Sequence, residues 1–271
     1  MNQFERHVQP LTALDFDAVR GLARSGCGID LHEGKRALVS TRLERLVRRH
    51  GFDSFTEYIK FVSQERRGDA FTEFIDTLTT NHSGFWREPE HFAFLQKTIF
   101  PGARQKLRIW SSACATGEEP YTIAMCALDA NGPQCTVNAS DISRGALATA
   151  MRGEYEESKT ITLPLGWRDR YFRRVPDTMS PTCVVTPAVR AVVGFAPVNL
   201  LEPFEHVGQF DVIFCRNVMI YFDQSTRDTL VAGLLCRLNP GGYLLTGHSE
   251  TLIRLPHGLE YVQPAIYRKL T

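Results

Sequence analysis

The sequence predicts an all-helical amino-terminal domain followed by a doubly wound, Rossmann-like α/β domain that carries a small inserted antiparallel β subdomain. Three observations lead there. Apolar residues over about 1–80 recur at helical spacing, and no run in that segment has strand character. From about residue 105, short apolar strands alternate with helical stretches, the pattern of a parallel sheet covered on both faces. Residues about 155–195 break that alternation. They hold Trp167, Tyr171, Phe172 and three prolines (Pro176, Pro181, Pro187) around a strand-like run from Cys183, and read as an inserted hairpin or small antiparallel unit.

In the first segment Leu14, Phe16, Val19 and Leu22 mark one helix, stopped by Gly26 and Gly28. Leu38, Val39, Leu43, Leu46 and Val47 mark a second over about 33–50, with Gly51 just past its end. Ser54 and Glu57 have the spacing of a capping box for a third helix, and a fourth runs from near Asp69 to Leu78. Strands are then expected over 108–114, 136–141, 192–198 and 210–215, with helices over 116–130 and 143–151. Asn239-Pro-Gly-Gly reads as a turn feeding one more apolar strand, which closes on Gly247, His248, Ser249 and Glu250. The domains are accordingly 1–80 and 81–271.

Composition narrows the function. A net charge of +1 gives no global field to attract nucleic acid or a membrane surface. No apolar run approaches the roughly 20 residues of a membrane helix, and the amino terminus lacks the apolar core of a secretory signal, so a cytoplasmic protein without membrane insertion is expected. The seven cysteines are scattered, with no C-x-x-C pair and no zinc spacing; they read as reduced thiols, and no metal is expected.

The chemistry lies at the strand ends, where ligands of open α/β sheets bind. The first strand ends in Ala113-Cys-Ala-Thr-Gly-Glu-Glu-Pro-Tyr121, a tight turn leading at once into a helix. It has neither G-x-G-x-x-G nor a P-loop lysine, and Glu118 and Glu119 would repel a pyrophosphate. These acids suit a cationic ligand or ligand hydroxyls, although alone they could simply favour the helix dipole. The second strand ends in Asp141, placed to accept hydrogen bonds from a ribose, or else to cap the next helix. A ribose-binding acid without a phosphate cradle points to an adenosine cofactor lacking phosphate, and S-adenosylmethionine fits that description. Phe210-Asp-Val-Ile-Phe-Cys breaks abruptly into polar Arg216 and Asn217 at a further strand end. No G-x-S-x-G elbow accompanies His248, Ser249 and Glu250, which argues against a hydrolase.

Thr79-Thr-Asn-His-Ser-Gly-Phe-Trp-Arg-Glu88, Ala115-Thr-Gly-Glu-Glu-Pro-Tyr-Thr-Ile-Ala124, Ala139-Ser-Asp-Ile142, Val198-Asn-Leu-Leu-Glu202, Phe210 to Phe222 and Gly247-His-Ser-Glu250 resemble, in order and spacing, the chemotaxis receptor methyltransferases of the CheR family. The resemblance runs from about residue 10 to 268. It implies methyl-ester formation on glutamates of chemoreceptor cytoplasmic helices, with S-adenosylhomocysteine as the product. By matching position, Asn81, Ser83, Arg87, Glu119, Asp141, Asn199, Leu200, Arg216 and Asn217 would contact the cofactor, and Arg87 and Tyr221 would stand near the transferred methyl. Ser83 replaces the threonine of the best-known members and keeps its hydroxyl. Residues 176–181 lack the glycines of members that dock a receptor's carboxyl-terminal pentapeptide, and that feature is not carried over.

The second helix is strongly basic: Arg42, Arg45 and Arg49 recur at i, i+3 and i+7, joined by Lys35, Arg36 and Arg48. The stripe is local, since residues 1–80 hold 12 basic and 12 acidic side chains. A charge run is most often a solvated face. The resemblance implies instead that Arg42, Arg45 and Arg48 dock on acidic receptor helices. No aromatic platform interleaves with the arginines, which disfavours nucleic acid. Nothing in the sequence demands more than a monomer.

Overall fold

A reciprocal pair of hydrogen bonds starts the first helix. The Thr12 hydroxyl accepts from the Asp15 amide at 3.1 Å, and the Asp15 carboxylate accepts from the Thr12 amide at 3.0 Å. The computed structural model in which this is seen describes residues 8–65, 68–130, 135–252 and 255–270. They fall into two units, 1–80 with Tyr221–Thr226, and Asn81–Ile220 with Arg227–Thr271. No helix among the described residues is long and apolar enough to cross a membrane.

The first unit is helical, as expected: α1 (Ala13–Cys27), α2 (Arg36–Arg49), α3 (Phe55–Gln64) and α4 (Asp69–Leu78). Its core holds Phe16, Val19, Leu43, Leu46, Val47, Tyr58, Val62 and Phe74. Leu14, expected on the buried stripe of α1, faces solvent instead. Gly28, with φ of 73°, stops α1, but Gly26 lies inside the helix. A Cβ on Gly26 would come within 2.5 Å of the Phe71 ring, so this glycine serves the close packing of α1 on α4. Asp15 is buried and also accepts from the Thr56 hydroxyl at 2.6 Å, which fastens α1 to α3. The basic stripe of α2 is unevenly used. Arg42 donates to the Leu78 carbonyl at 3.2 Å, at the end of α4 where helix carbonyls lack partners. Arg48 pairs with Glu44, and Arg49 lies 3.4 Å from Glu73. Arg45 is exposed and has no ion-pair partner among the described residues.

The second unit begins with α5 (Pro89–Phe94), which continues through a π-helical turn into α6 (Phe100–Gly102). The chain then alternates: β1 (Leu107–Ser111), α7 (Glu118–Asp129), β2 (Cys135–Asp141) and α8 (Arg144–Arg152). After an insert come β6 (Val193–Pro197), β7 (Phe210–Cys215), α11 (Gln224–Arg237), β8 (Leu238–Thr246), β9 (Leu259–Gln263) and β10 (Ile266–Lys269). The seven-stranded sheet has the order β6-β2-β1-β7-β8-β10-β9. The pairs from β6 to β8 are parallel, while β10 runs antiparallel to β8 and β9. β7 lies at the sheet's centre, and five of its six residues are fully buried, which explains its unbroken apolar run. Asn239-Pro-Gly-Gly is part of β8 rather than a turn ahead of it. The register against β7 slips there, and a Cβ on Gly242 would stand 2.8 Å from the Asp211 carbonyl.

The insert contributes β3 (Glu154–Glu156), α9 (Trp167–Tyr171), β4 (Phe172–Val175), β5 (Thr182–Val185) and α10 (Pro187–Arg190). Its three strands form a separate antiparallel sheet, β3-β5-β4. Phe85 packs edge-on against Tyr155 and Phe172 and anchors it to the rest of the unit.

Burial pushes the Asp15 carboxyl upward, but its bonds from Thr12 and Thr56 prevail, and its pKa lies below the ordinary value. A depressed carboxylate stabilises the fold above its unfolded pKa of about 4, and that contribution is lost as pH falls further. Asp15→Asn should therefore cost about 1 kcal/mol in urea unfolding at neutral pH. The difference from the parent should shrink steadily as pH is taken below about 4.

Candidate functional site

β1 sits between β2 and β7, so the order of the sheet reverses on either side of it, and a crevice opens at the carboxyl ends of such strands. Four segments reach that edge: Ser111 to Gly117 after β1, Asp141 ending β2, Arg216 and Asn217 after β7, and Gly247 to Glu250 after β8.

The loop after β1 is tightly held. The Ala115 amide donates to the Asp141 carboxylate at 2.8 Å, and the Ser143 amide donates to its other oxygen at 2.9 Å. The Ser143 hydroxyl receives the Asn81 amide at 3.3 Å and the Ala146 amide at 3.0 Å. Asp141 thus organises both the β1 loop and the start of α8. Gly117 takes a φ of 94°, and a Cβ there would meet the Ala150 Cβ at 2.7 Å. The turn needs a glycine for conformation and for space together.

Glu118 and Glu119 have different tasks. Glu118 is wholly buried and accepts from the Lys159 ammonium at 2.8 Å and the Thr116 hydroxyl at 2.7 Å. Lys159 comes from the insert, as does Tyr155, whose hydroxyl donates to the Thr116 carbonyl at 2.7 Å. Glu119 accepts from the Ser111 hydroxyl at 2.7 Å and from Arg216 at 2.9 Å. Burial raises the Glu119 carboxyl above its ordinary pKa, against the opposing pull of Arg216 and Ser111.

The Arg216 side chain is 1% exposed. Besides Glu119 it meets Glu88 at 3.0 Å, donates to the Arg87 carbonyl, and lies over the Phe92 ring. For Glu88, burial pushes the carboxyl up, but Arg216 and Asn217 hold it below the usual range. Asn217 adopts a positive φ of 58° and donates its side-chain amide to Glu88 at 3.2 Å. Glu250 accepts from the Asn217, Gly247 and Ile220 amides at 2.7, 2.8 and 3.1 Å. This last carboxylate keeps the ends of β7 and β8 in register.

Of the residues singled out in the sequence, Asn81 joins Asp141 through Ser143, and Glu119, Arg216 and Asn217 share a second network with the Arg87 backbone. The Arg87 guanidinium itself donates to the His82 carbonyl at 3.1 Å. Asn199 accepts from the Leu201 amide in the loop after β6, and this turn also holds Leu200. Ser83 is half-buried in the segment ahead of α5. Tyr221 belongs to the first unit, where its carbonyl receives the Asp30 amide at 2.9 Å. Glu88 and Lys159 were not anticipated. Glu88 directly follows Arg87 in a matched motif, whereas Lys159 sits in an irregular segment where no spacing marks it.

Lys159→Met should destabilise the protein by leaving the Glu118 carboxylate buried without its cation, and Glu118→Gln should do so in parallel. A double-mutant cycle by thermal unfolding should return a coupling of roughly 1–2 kcal/mol, discounted for the half-exposed lysine. Gly117→Ala should be worse than either, costing about 2 kcal/mol or more through strain and overlap with α8.

Residues 81–267 match the family described as CheR methyltransferase, SAM binding domain, and residues 14–79 match its all-alpha domain. The chain is similar to the chemotaxis protein methyltransferase of Borreliella burgdorferi, 38% identical over 99% of this chain and 98% of the relative. It is likewise similar to chemotaxis protein methyltransferase 2 of Pseudomonas aeruginosa, at 37% over 94% of this chain and 93% of the relative. The chemotaxis protein methyltransferase of Salmonella typhimurium is 38% identical over 90% of this chain and 86% of the relative. Matching along nearly its whole length, the chain belongs to the CheR family of S-adenosylmethionine-dependent methyltransferases.

Proposed function

We propose that this protein methylates glutamate side chains on the cytoplasmic helices of chemoreceptors, forming glutamyl methyl esters during signal adaptation in the cytoplasm. The observation that carries the reading is the presence of two carboxylates, Asp141 at the end of β2 and Glu119 in the first turn of α7 after β1, with no phosphate cradle in the sequence between them. That donor set fits an adenosine with free ribose hydroxyls and a cationic amino-acid tail, and repels a pyrophosphate. A buried donor without a partner among the described residues, Arg216 Nε, adds a place for a cofactor acceptor.

When bound, S-adenosylmethionine would supply an electrophilic methyl on a sulfonium, to be transferred to a glutamate oxygen with S-adenosylhomocysteine as the leaving group. The glutamate is already an anion at neutral pH, so the protein need not remove a proton. What it must do is position and shield. In this reading Asp141 binds the ribose hydroxyls, and Asn81, Ser83, Asn199, Leu200 and Asn217 line the remainder. Glu119 attracts the cofactor's cationic end while Arg216 limits its charge. Arg87 and Tyr221 serve the reacting carboxylate, Arg87 by charge-assisted hydrogen bonding and Tyr221 by orienting the attacking oxygen.

The helical unit supplies docking through α2. Arg45 and Arg48 are exposed and suit an acidic helix, and Arg42 shares that face while also holding the end of α4. The protein acts as a monomer that associates with the receptor without entering the membrane.

Methyl-labelled S-adenosylmethionine, the purified protein and receptor-bearing membranes, followed by alkali, should release labelled methanol. Label stable to base would mean another methylated group and would refute the ester. Arg45→Ala with Arg48→Ala should slow receptor methylation about 5- to 10-fold at low salt and leave S-adenosylhomocysteine affinity unchanged. Equal loss of both would remove the docking role from α2.

A further inference from the structure

His91 is wholly buried on α5, and neither of its ring nitrogens has a hydrogen-bond partner among the described residues. A neutral imidazole carries one N–H and one lone pair, and leaving both unmet costs on the order of 1–3 kcal/mol. Such an orphan calls for an explanation. Its nearest polar neighbours are the Glu88 carboxylate, 3.6 Å from Nδ1, and the His248 ring, whose centroid is 5.1 Å away. One donor atom from each of Glu88, His91 and His248 lies within 4.8 Å of the other two.

From this geometry we infer that Glu88, His91 and His248 form a binding site for a divalent transition-metal ion of the zinc class. Two imidazoles and one carboxylate are a set that such ions accept, with a fourth position left to water. The His91 ring, buried and without a hydrogen-bond partner among the described residues, has a nitrogen lone pair to offer such an ion. Glu88 is ionised, and its bonds from Arg216 and Asn217 fix its orientation, as outer partners of metal ligands do. Arg216 opposes a cation here, but its charge is divided between two carboxylates, Glu88 and Glu119. Glu90, 3.9 Å from His248 Nε2, adds another. Zinc bonds of about 2.0–2.1 Å require ligand atoms roughly 3.4 Å apart. The closure of up to about 1.4 Å this implies falls to His248, whose side chain is 44% exposed.

The test uses the full chain, freed of metal by chelation and kept reduced, titrated with Zn2+ and with Co2+ in the absence of S-adenosylmethionine. One ion per chain is expected, with a Co2+ spectrum lacking thiolate charge transfer. His248→Ala, a change at an exposed position, should weaken binding by about 10- to 100-fold, the range already seen when outer-shell partners alone are changed. Cys236→Ser, which alters the one exposed cysteine among the described residues, should leave binding unchanged. No stoichiometric binding, binding indifferent to His248→Ala, or binding lost in Cys236→Ser would each overturn the site. Because no methyl transfer is measured, the result stands apart from the receptor-methylation reading.

Discussion

The catalytic unit is organised around one buried guanidinium. Arg216 sits at the end of the most deeply buried strand of the sheet, where an unpaired cation would be costly. It survives there because Glu119 at the start of α7 and Glu88 ahead of α5 both reach it. Three segments far apart in sequence are thereby fixed at one point. Breaking such a pair from one side is more damaging than never having had it, since the remaining charges stay buried. The pair therefore gives local specificity to the crevice more than it gives net stability.

A second, smaller ion pair extends that control to the insert. Lys159 reaches Glu118, the immediate neighbour of Glu119, while Tyr155 holds the Thr116 carbonyl on the other side of Gly117. The turn is thus gripped from outside by a segment that interrupts the sheet topology. Glycine at 117 admits this approach, and the two adjacent glutamates face opposite demands, one structural and one toward the crevice.

Much of this was legible in the sequence because periodicity and strand-end polarity are local properties. The run from Phe210 to Cys215 announces a central strand, and the break at Arg216 announces its end. Asp141 and Glu119 could be singled out by their positions after the first two strands, the lack of a phosphate cradle and the matched motifs together. What stayed hidden depends on distant partners. Gly26 looked like a helix stop because its reason, the ring of Phe71, lies on another helix. Asn239 to Gly242 looked like a turn because the slip that makes it a bulge is defined only against β7. Lys159 had no signal, since one lysine in an irregular insert resembles any solvated lysine until Glu118 is found buried beside it.

The basic helix shows the same limit from the other side. On a helical wheel Arg42, Arg45 and Arg49 are equivalent, yet their environments are not. Arg42 spends its donors on the carbonyls that end α4, Arg49 is drawn to Glu73, and Arg45 stays exposed. An arginine already bonded within its own unit has less to gain from an acidic partner, because contact with that partner replaces one interaction by another. Arg45, exposed and without an ion-pair partner among the described residues, exchanges only water and salt. In the proposed docking, the stripe of α2 should therefore be used unevenly, with Arg45 ahead of Arg42, although their spacing makes them look alike.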